Sequence, residues 1–371
     1  MPGHKVLHLI TSLERGGAQT MLTRLVLHLD RARFGAVVVP LIDGGYHAAE
    51  LEEAGIPVMG LGMRRGLPSL AGLMRLRRIV RDERPALIQS WLYHADLLAL
   101  FAAGRIPLAW NIRCSTMAGG DTLRLRAILR VLAWASGRPA AVLVNSEAGK
   151  RFHAALGYHP RRWEVVPNGF NVERFRPDPQ RRRDGRDRLG LTEAQVAIGM
   201  VARVDPMKDH ATFLAAAEAV AAAREDVRFV LVGAGTQNIP IPPALAGRVE
   251  ALGELGAVEE LLPALDVMAL ASLGEGFPNV IGEAMACGVP CLSSDVGDAG
   301  AIIGDAGLVV PPRDPRALAQ AMLEFAALGA EGRAALGQKA RERVIARYSM
   351  AASVRRYEDI YAALAAKEER E

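Results

Sequence analysis

The chain has 371 residues, half of them apolar and 23% charged, with a formal net charge of +4. That length and apolar content suffice for two domains with sizeable cores and exclude a disordered chain. No apolar stretch approaches the roughly 20 residues of a membrane-spanning helix, and three cysteines (Cys114, Cys287, Cys291) without a disulfide spacing fit a reducing cytoplasm. Cys287 and Cys291 are four apart with no second Cys or His pair, so they are expected as small buried residues and no metal site is expected. The charge is uneven. Residues 1–175 carry 23 Lys and Arg against 13 Asp and Glu, a balance of +10, and the remainder 22 against 28, a balance of −6. A basic first half points to an anionic partner: a membrane surface, a phosphate-bearing lipid or nucleic acid.

In chain order, Lys5–Ile10 is expected as a first strand and not as the apolar core of a secretory signal, because a Gly16-Gly17 loop follows it. A helix is expected over 18–29, a strand over 36–41, a short element from 50 stopping at Gly55, and an extended piece at 57–61. A strongly basic helix over 69–84 ends at Pro85. Strands at 86–89, 108–112, 141–145 and 164–166 alternate with a helix over 94–103 and a second basic helix around Arg124–Arg130. Around Asn168 the rhythm breaks, and the proline- and charge-rich segment 167–188 reads as a linker. Alternation resumes with strands at 196–201, 228–232, 248–251, 267–271, 290–293 and 308–310, and helices over 209–223, 258–265, 280–287, 316–328, 331–347 and 352–366. Strands separated by helices imply parallel sheets with right-handed crossovers. The expected architecture is therefore α/β: two doubly wound domains, 1–170 and 171–351, then a C-terminal helix over 352–371, with ligands at the carboxyl ends of the strands.

Three segments carry the chemistry. Ser12–Gln19 joins a strand to a helix through Gly16-Gly17; it is either a cradle for an anion at a helix N-terminus or simply a tight turn. It is neither a P-loop nor a GxGxxG motif. In the second, IGMVARVDPMKDH, Arg203 lies just past a strand end and Lys208 opens the next helix. A planar fork and a point charge at a strand's mouth suit a diphosphate and the charge developing on a leaving nucleotide; the alternative is a solvated loop. In the third, SLGEGFPNVIGEAMAC, Glu275 sits in a glycine-rich loop and Glu283 eight residues on, within a helix beginning near Asn279. Such carboxylates can accept hydrogen bonds from sugar hydroxyls and a ribose diol. Their bland alternatives are a turn residue and a helix-start charge.

With these residues in place, the sequence resembles a retaining glycosyltransferase of the GT-B fold, in the large group called glycosyltransferase family 4. The resemblance rests on the E-x7-E element of Glu275 and Glu283 in GEGFPNVIGEAMACGVP, and on the Arg and Lys five apart in VARVDPMKDH. It extends to the Gly16-Gly17 loop, to VPNGF at 166–170 and to LVGAGT at 231–236, the turn that holds Gly233. It implies two Rossmann-like domains facing each other across a cleft, an acceptor domain at 1–170 and a nucleotide-sugar domain at 171–351, with the last helix packing back on the first. It also implies that Arg203 and Lys208 bind the donor diphosphate and Glu275 the transferred sugar, helped by the backbone of Gly276 to Asn279, with Phe277, Pro278, Val280 and Gly233 among the donor-binding residues. Glu283 would bind the ribose, Gly16 and Gly17 would approach the distal phosphate and sugar, and His94 would contact the donor sugar. A histidine at a strand-end loop is otherwise usually structural.

No convincing nucleophile is found in the first half, since Asp96 is expected to point away from His94. A front-face route is therefore preferred to double displacement, with Arg203 and Lys208 in place of a divalent metal and no cofactor beyond the donor. UDP-sugars are the first expectation and GDP-mannose the second; a saccharide or lipid-linked saccharide is the expected acceptor. Arg113 is a candidate contact for an anionic acceptor, whereas Asn145 and Ser146 read as helix caps. Seven arginines fall between positions 64 and 84, opposed only by Asp82 and Glu83. They form either a solvated surface or a dock for an anionic membrane at its inner, cytoplasmic face. Nucleic acid is disfavoured because aromatic residues scarcely interleave with them. The competing readings are a GT-B-fold sugar-nucleotide 2-epimerase and a non-catalytic nucleotide-sugar-binding protein.

Overall fold

The computed structural model describes residues 3–64, 69–113 and 123–368, with side chains through 366. Arg65 and Cys114 lie outside the described residues. The chain forms two compact units, one of residues 1–169 with 350–371 and the other of residues 170–349.

In the first unit the elements are β1 (His4–Ile10), α1 (Gly17–His28), β2 (Phe34–Pro40), α2 (Ala48–Glu53), α3 (Leu70–Glu83), β3 (Leu87–Trp91) and α4 (Tyr93–Ala102). They continue with β4 (Leu108–Ile112), α5 (Leu123–Ala135), β5 (Ala141–Val144), α6 (Glu147–Ala155) and β6 (Trp163–Val165). The strands form a six-stranded sheet in the order β2-β1-β3-β4-β5-β6, every pairing parallel. Both sheet faces are covered, so these strands read as continuous apolar runs and not as alternations. Residues 57–61, expected as an extended piece, contribute one bridge, Val38 to Val58. The second unit holds α7 (Pro179–Arg188), β7 (Val196–Val201), α8 (His210–Ala223), β8 (Val227–Val232), β9 (Val249–Ala251), β10 (Val267–Leu270) and α9 (Asn279–Ala286). β11 (Cys291–Ser294), α10 (Ala299–Ile303), β12 (Gly307–Val310), α11 (Pro315–Ala327) and α12 (Gly329–Tyr348) complete it. Its parallel sheet runs β12-β11-β10-β7-β8-β9.

The last helix, α13 (Met350–Glu368), belongs to the first unit. It buries Val354, Tyr357, Ile360, Tyr361 and Leu364 with Val6, Leu25, Trp91 and Leu143. Polar contacts fix its seat: Tyr361 donates to the Gln89 side chain, Asn111 Nδ2 donates to Tyr357 Oη at 2.9 Å, and Asp30 N donates to Glu358 at 2.8 Å.

Two local expectations are corrected. The segment 167–188 is not all linker: Asp178 caps α7, accepting from Gln180 N and Arg181 N, and Pro179 suits its first turn. Arg186, 1% exposed, anchors that helix, donating to Asp266 Oδ2 at 3.0 Å and to the Gln195 carbonyl at 2.7 Å. The segment 258–265 is not one helix but two 3₁₀ turns, Val258–Glu260 and Leu262–Ala264. Pro263 removes the N–H that an α-helix would need at that point. Cys287 and Cys291 are buried free thiols, and burial pushes the Cys287 thiol up to about 12.

Candidate active site

In the second unit the chain order of the strands reverses between β7 and β10, which pair directly. Such a switch point leaves a crevice at the carboxyl ends of the strands. Arg203 and Lys208 follow β7; Glu275 follows β10. Lys208 Nζ donates to Glu275 Oε1 at 2.5 Å, closing an ion pair over the crevice. Ser272 Oγ donates to the same oxygen at 2.7 Å, and Ser294 Oγ donates to the Ser272 carbonyl at 2.5 Å, so the end of β11 steadies the loop. Arg203 is two-thirds exposed and donates to Asp205 Oδ2 at 2.8 Å. Asp205 Oδ1 accepts from Met207 N at 2.9 Å; that bond, then the Arg203 guanidinium, hold the carboxyl below its usual range. One aspartate thus shapes the turn carrying both cations.

Close backbone approaches explain the glycines. Gly233, at φ +140°, lies against the turn after β7, where a Cβ would meet the Ala202 carbonyl oxygen at 2.2 Å. Gly297, at φ +59°, underlies the Glu275 loop, where a Cβ would meet the Glu275 carbonyl oxygen at 2.4 Å. Asp298 N donates to the Gly276 carbonyl at 3.0 Å. Phe277 turns inward, stacking on Phe170 at 6.1 Å and 17°, so its offering to a ligand is backbone. Pro278 precedes α9 without a side-chain cap, and Asn279, Val280 and Glu283 are half-buried on its first two turns. An uncapped helix start is a geometry that can take an anion.

In the first unit the strand order reverses between β1 and β3. Gly16 and Gly17 follow β1 and open α1, with no side-chain cap and open space at the Gly17 Cβ position. His94 follows β3 in the first turn of α4. It is exposed on that turn, while surrounding protein lowers its pKa by desolvation. The residue before that helix, Leu92, adopts φ 72° and ψ 153°, a region nearly reserved for glycine. Asp96, two residues on, is fully buried. It accepts from Ser90 Oγ at 2.6 Å, and burial raises its pKa well above the usual carboxylate range.

Arg113 does not reach outward as an acceptor contact would. Its guanidinium donates to Tyr357 Oη at 3.2 Å and to Asn168 Oδ1 and lies over the Trp91 ring, bracing α13. Ser146 caps α6, accepting from Gly149 N. Sequence reasoning missed Asp205, Ser272 and Leu92. The Asp-Pro pair at 205–206 signals a turn and was available. Nothing in the sequence marks Leu92, whose residue type argues against its backbone.

Residues 15–174 match the family model described as Glycosyltransferase Family 4, and residues 195–327 match that described as Glycosyl transferases group 1. The chain is 26% identical over 313 residues to the putative glycosyltransferase EpsF of Bacillus subtilis, covering 78% of this chain and 79% of that one. It is 32% identical over 206 residues to a GDP-mannose-dependent phosphatidylinositol monomannoside mannosyltransferase of Corynebacterium glutamicum, covering 50% of this chain and 54% of that one. Anabaena HepE, solved in complex with UDP, superposes with a TM-score of 0.82 at 23% identity over 97% of this chain and all of that one, a likeness of fold. The chain belongs to glycosyltransferase family 4, the group 1 glycosyl transferases, and is a transferase of class EC 2.4 with the GT-B fold.

Proposed function

We propose that this enzyme moves a sugar from a nucleotide-diphosphate sugar to a saccharide or lipid-linked saccharide, with retention of configuration and without a metal ion. The carrying observation is the Lys208–Glu275 pair over the β7/β10 crevice, with Arg203 beside it. Lys208 and Arg203 take the diphosphate, the start of α9 adds N–H groups to it, and Glu275 accepts from hydroxyls of the transferred sugar. Glu283 accepts from the ribose diol. In the first unit, Gly16, Gly17 and His94 lie after β1 and β3, where strand order reverses, and the same reading gives them phosphate and sugar groups to contact.

The bond from the anomeric carbon to the phosphate oxygen breaks as the acceptor oxygen bonds to that carbon on the same face. The acceptor's proton passes to the departing phosphate. Arg203 and Lys208 stabilise the charge on the leaving diphosphate, the work a divalent cation does elsewhere. Asp96, the carboxyl nearest His94 in sequence, supports this route over a covalent intermediate, because it is buried, bonded to Ser90 and pushed by burial above the usual carboxylate range. UDP-sugars are the first choice of donor. A relative from Escherichia coli, 26% identical over 243 residues, is named a UDP-Gal:alpha-D-GlcNAc-diphosphoundecaprenol alpha-1,3-galactosyltransferase, which favours a lipid diphosphate acceptor. The mannosyltransferase relative keeps GDP-mannose second.

The test is a panel of nucleotide sugars read by thermal shift and by slow donor hydrolysis. One donor is expected to stabilise the protein and release its nucleoside diphosphate, and Arg203→Ala to abolish both. No shift with any donor sinks the proposal. Sugar isomerisation without nucleotide release would make the protein an epimerase.

A further inference from the structure

The helices α3, α4 and α5 lie on one face of the first unit's sheet. Leu76 and Val80 of α3, Ala95 and Ala99 of α4, and Leu132 and Ala133 of α5 share one cluster with Leu7, Ile88 and Trp110. Their outer sides are unusually apolar. Among the described residues of this unit, eight large hydrophobic side chains are exposed, and six of them stand on these three helices. They are Leu70 and Met74 on α3, Phe101 on α4, and Leu123, Val131 and Trp134 on α5; Leu123 is 83% exposed and Trp134 71%. Scattered exposed hydrophobics mean little, but a cluster marks an interaction surface.

Arginines surround these residues. Arg75, Arg77, Arg78 and Arg81 are exposed on α3, and Arg124, Arg126 and Arg130 on α5. Arg138 lies over the Trp134 ring at 4.9 Å. Arg77 donates to the Phe101 carbonyl at 2.9 Å and ties α3 to α4. Among the described residues of these helices the opposing acids are few: Asp96 is buried, Glu83 is paired with Lys5, and Asp82 faces both Arg78 and Arg81.

We propose that this three-helix face docks the enzyme on an anionic lipid bilayer, the apolar side chains entering the headgroup boundary and the arginines meeting the lipid charge. A second copy fits poorly, because a two-fold contact would set the same arginines against each other. A nucleic acid offers nothing to Leu70, Met74 and Leu123. A bilayer meets both halves of the surface at once, and long arginine stems and an indole suit its boundary. The proposal needs neither donor nor acceptor, so its failure is separate from failure of the transfer reading.

The test is co-sedimentation of the full chain with vesicles of phosphatidylcholine alone and of equal parts phosphatidylcholine and phosphatidylglycerol. Binding is expected on the anionic vesicles only, weakening as salt rises. Trp134 is the reporter, because Trp91 and Trp110 are fully buried and Trp163 is half-buried. Its emission should shift to the blue on binding, and Trp134→Phe should remove most of the shift while binding persists. Neutralising Arg75, Arg78 and Arg124 together with Gln should weaken partitioning about a hundredfold. An unchanged melting curve would show that the fold is intact. Equal binding to both vesicles, no binding, or binding without an emission shift would overturn the proposal. So would a concentration-dependent dimer dissolved by the same substitutions, which would assign the face to a second copy.

Discussion

Replacing Glu275 by Gln is expected to separate nucleotide binding from sugar transfer. Glu275 Oε1 accepts from Lys208 Nζ at 2.5 Å and from Ser272 Oγ at 2.7 Å, and the two charged side chains are 12% and 23% exposed. Gln keeps the volume and an oxygen for both donors but removes one negative charge. A diphosphate oxygen taken up by Lys208 would stand roughly 5 Å from that carboxylate. At an effective dielectric between that of a protein surface and that of water, the repulsion is about 1 kcal/mol. Glu275→Gln should therefore bind the free nucleoside diphosphate about fivefold more tightly. Turnover should fall on the order of a hundredfold, because the sugar hydroxyls lose a charged acceptor. Calorimetric titration with UDP and with GDP, alongside initial rates with the donor found in the panel, measures both. The reasoning is refuted if nucleotide affinity falls together with turnover, since Glu275 would then support the nucleotide and not oppose it. Unchanged turnover would remove Glu275 from the sugar site.

Two further expectations concern the first unit. At Leu92, whose backbone lies in glycine's region, the Gly variant should be more stable than the Ala variant by about 1 kcal/mol. Elsewhere Gly is usually the less stable of the two. Urea midpoints decide this, and a less stable Gly variant would show that the backbone there is unstrained. His8 is fully buried, and burial lowers its pKa to about 3. The unfolded chain binds a proton near the ordinary histidine value while the native chain does not, so this contribution is complete above that value and shrinks as pH falls. Between neutrality and pH 5 it should lose about 2 kcal/mol. His8→Gln should lose that much less than the parent over the same interval, and parallel losses would refute the assignment.

Much of the fold was legible in the sequence because its signals are local. Continuous apolar runs such as Val196–Val201 and capped amphipathic stretches such as Ser69–Arg84 mark elements without reference to the rest of the chain. α7 escaped notice because it lacks an apolar stripe. What holds it is Arg186 reaching Asp266, 80 residues further on.

The sequence by itself determined the doubly wound α/β class, the cationic pair Arg203 and Lys208, and the spacing of Glu275 and Glu283. Residue type, period and short spacing carry those. Only the tertiary structure decided that Lys208 meets Glu275, since their meeting depends on β7 and β10 lying side by side at the point where strand order reverses. It likewise turned Arg113 inward to Tyr357, closed Asp96 away with Ser90, and gathered exposed side chains of three helices onto one face. Each of these is a relation between distant segments, created by sheet order and burial, and local chain chemistry does not encode it.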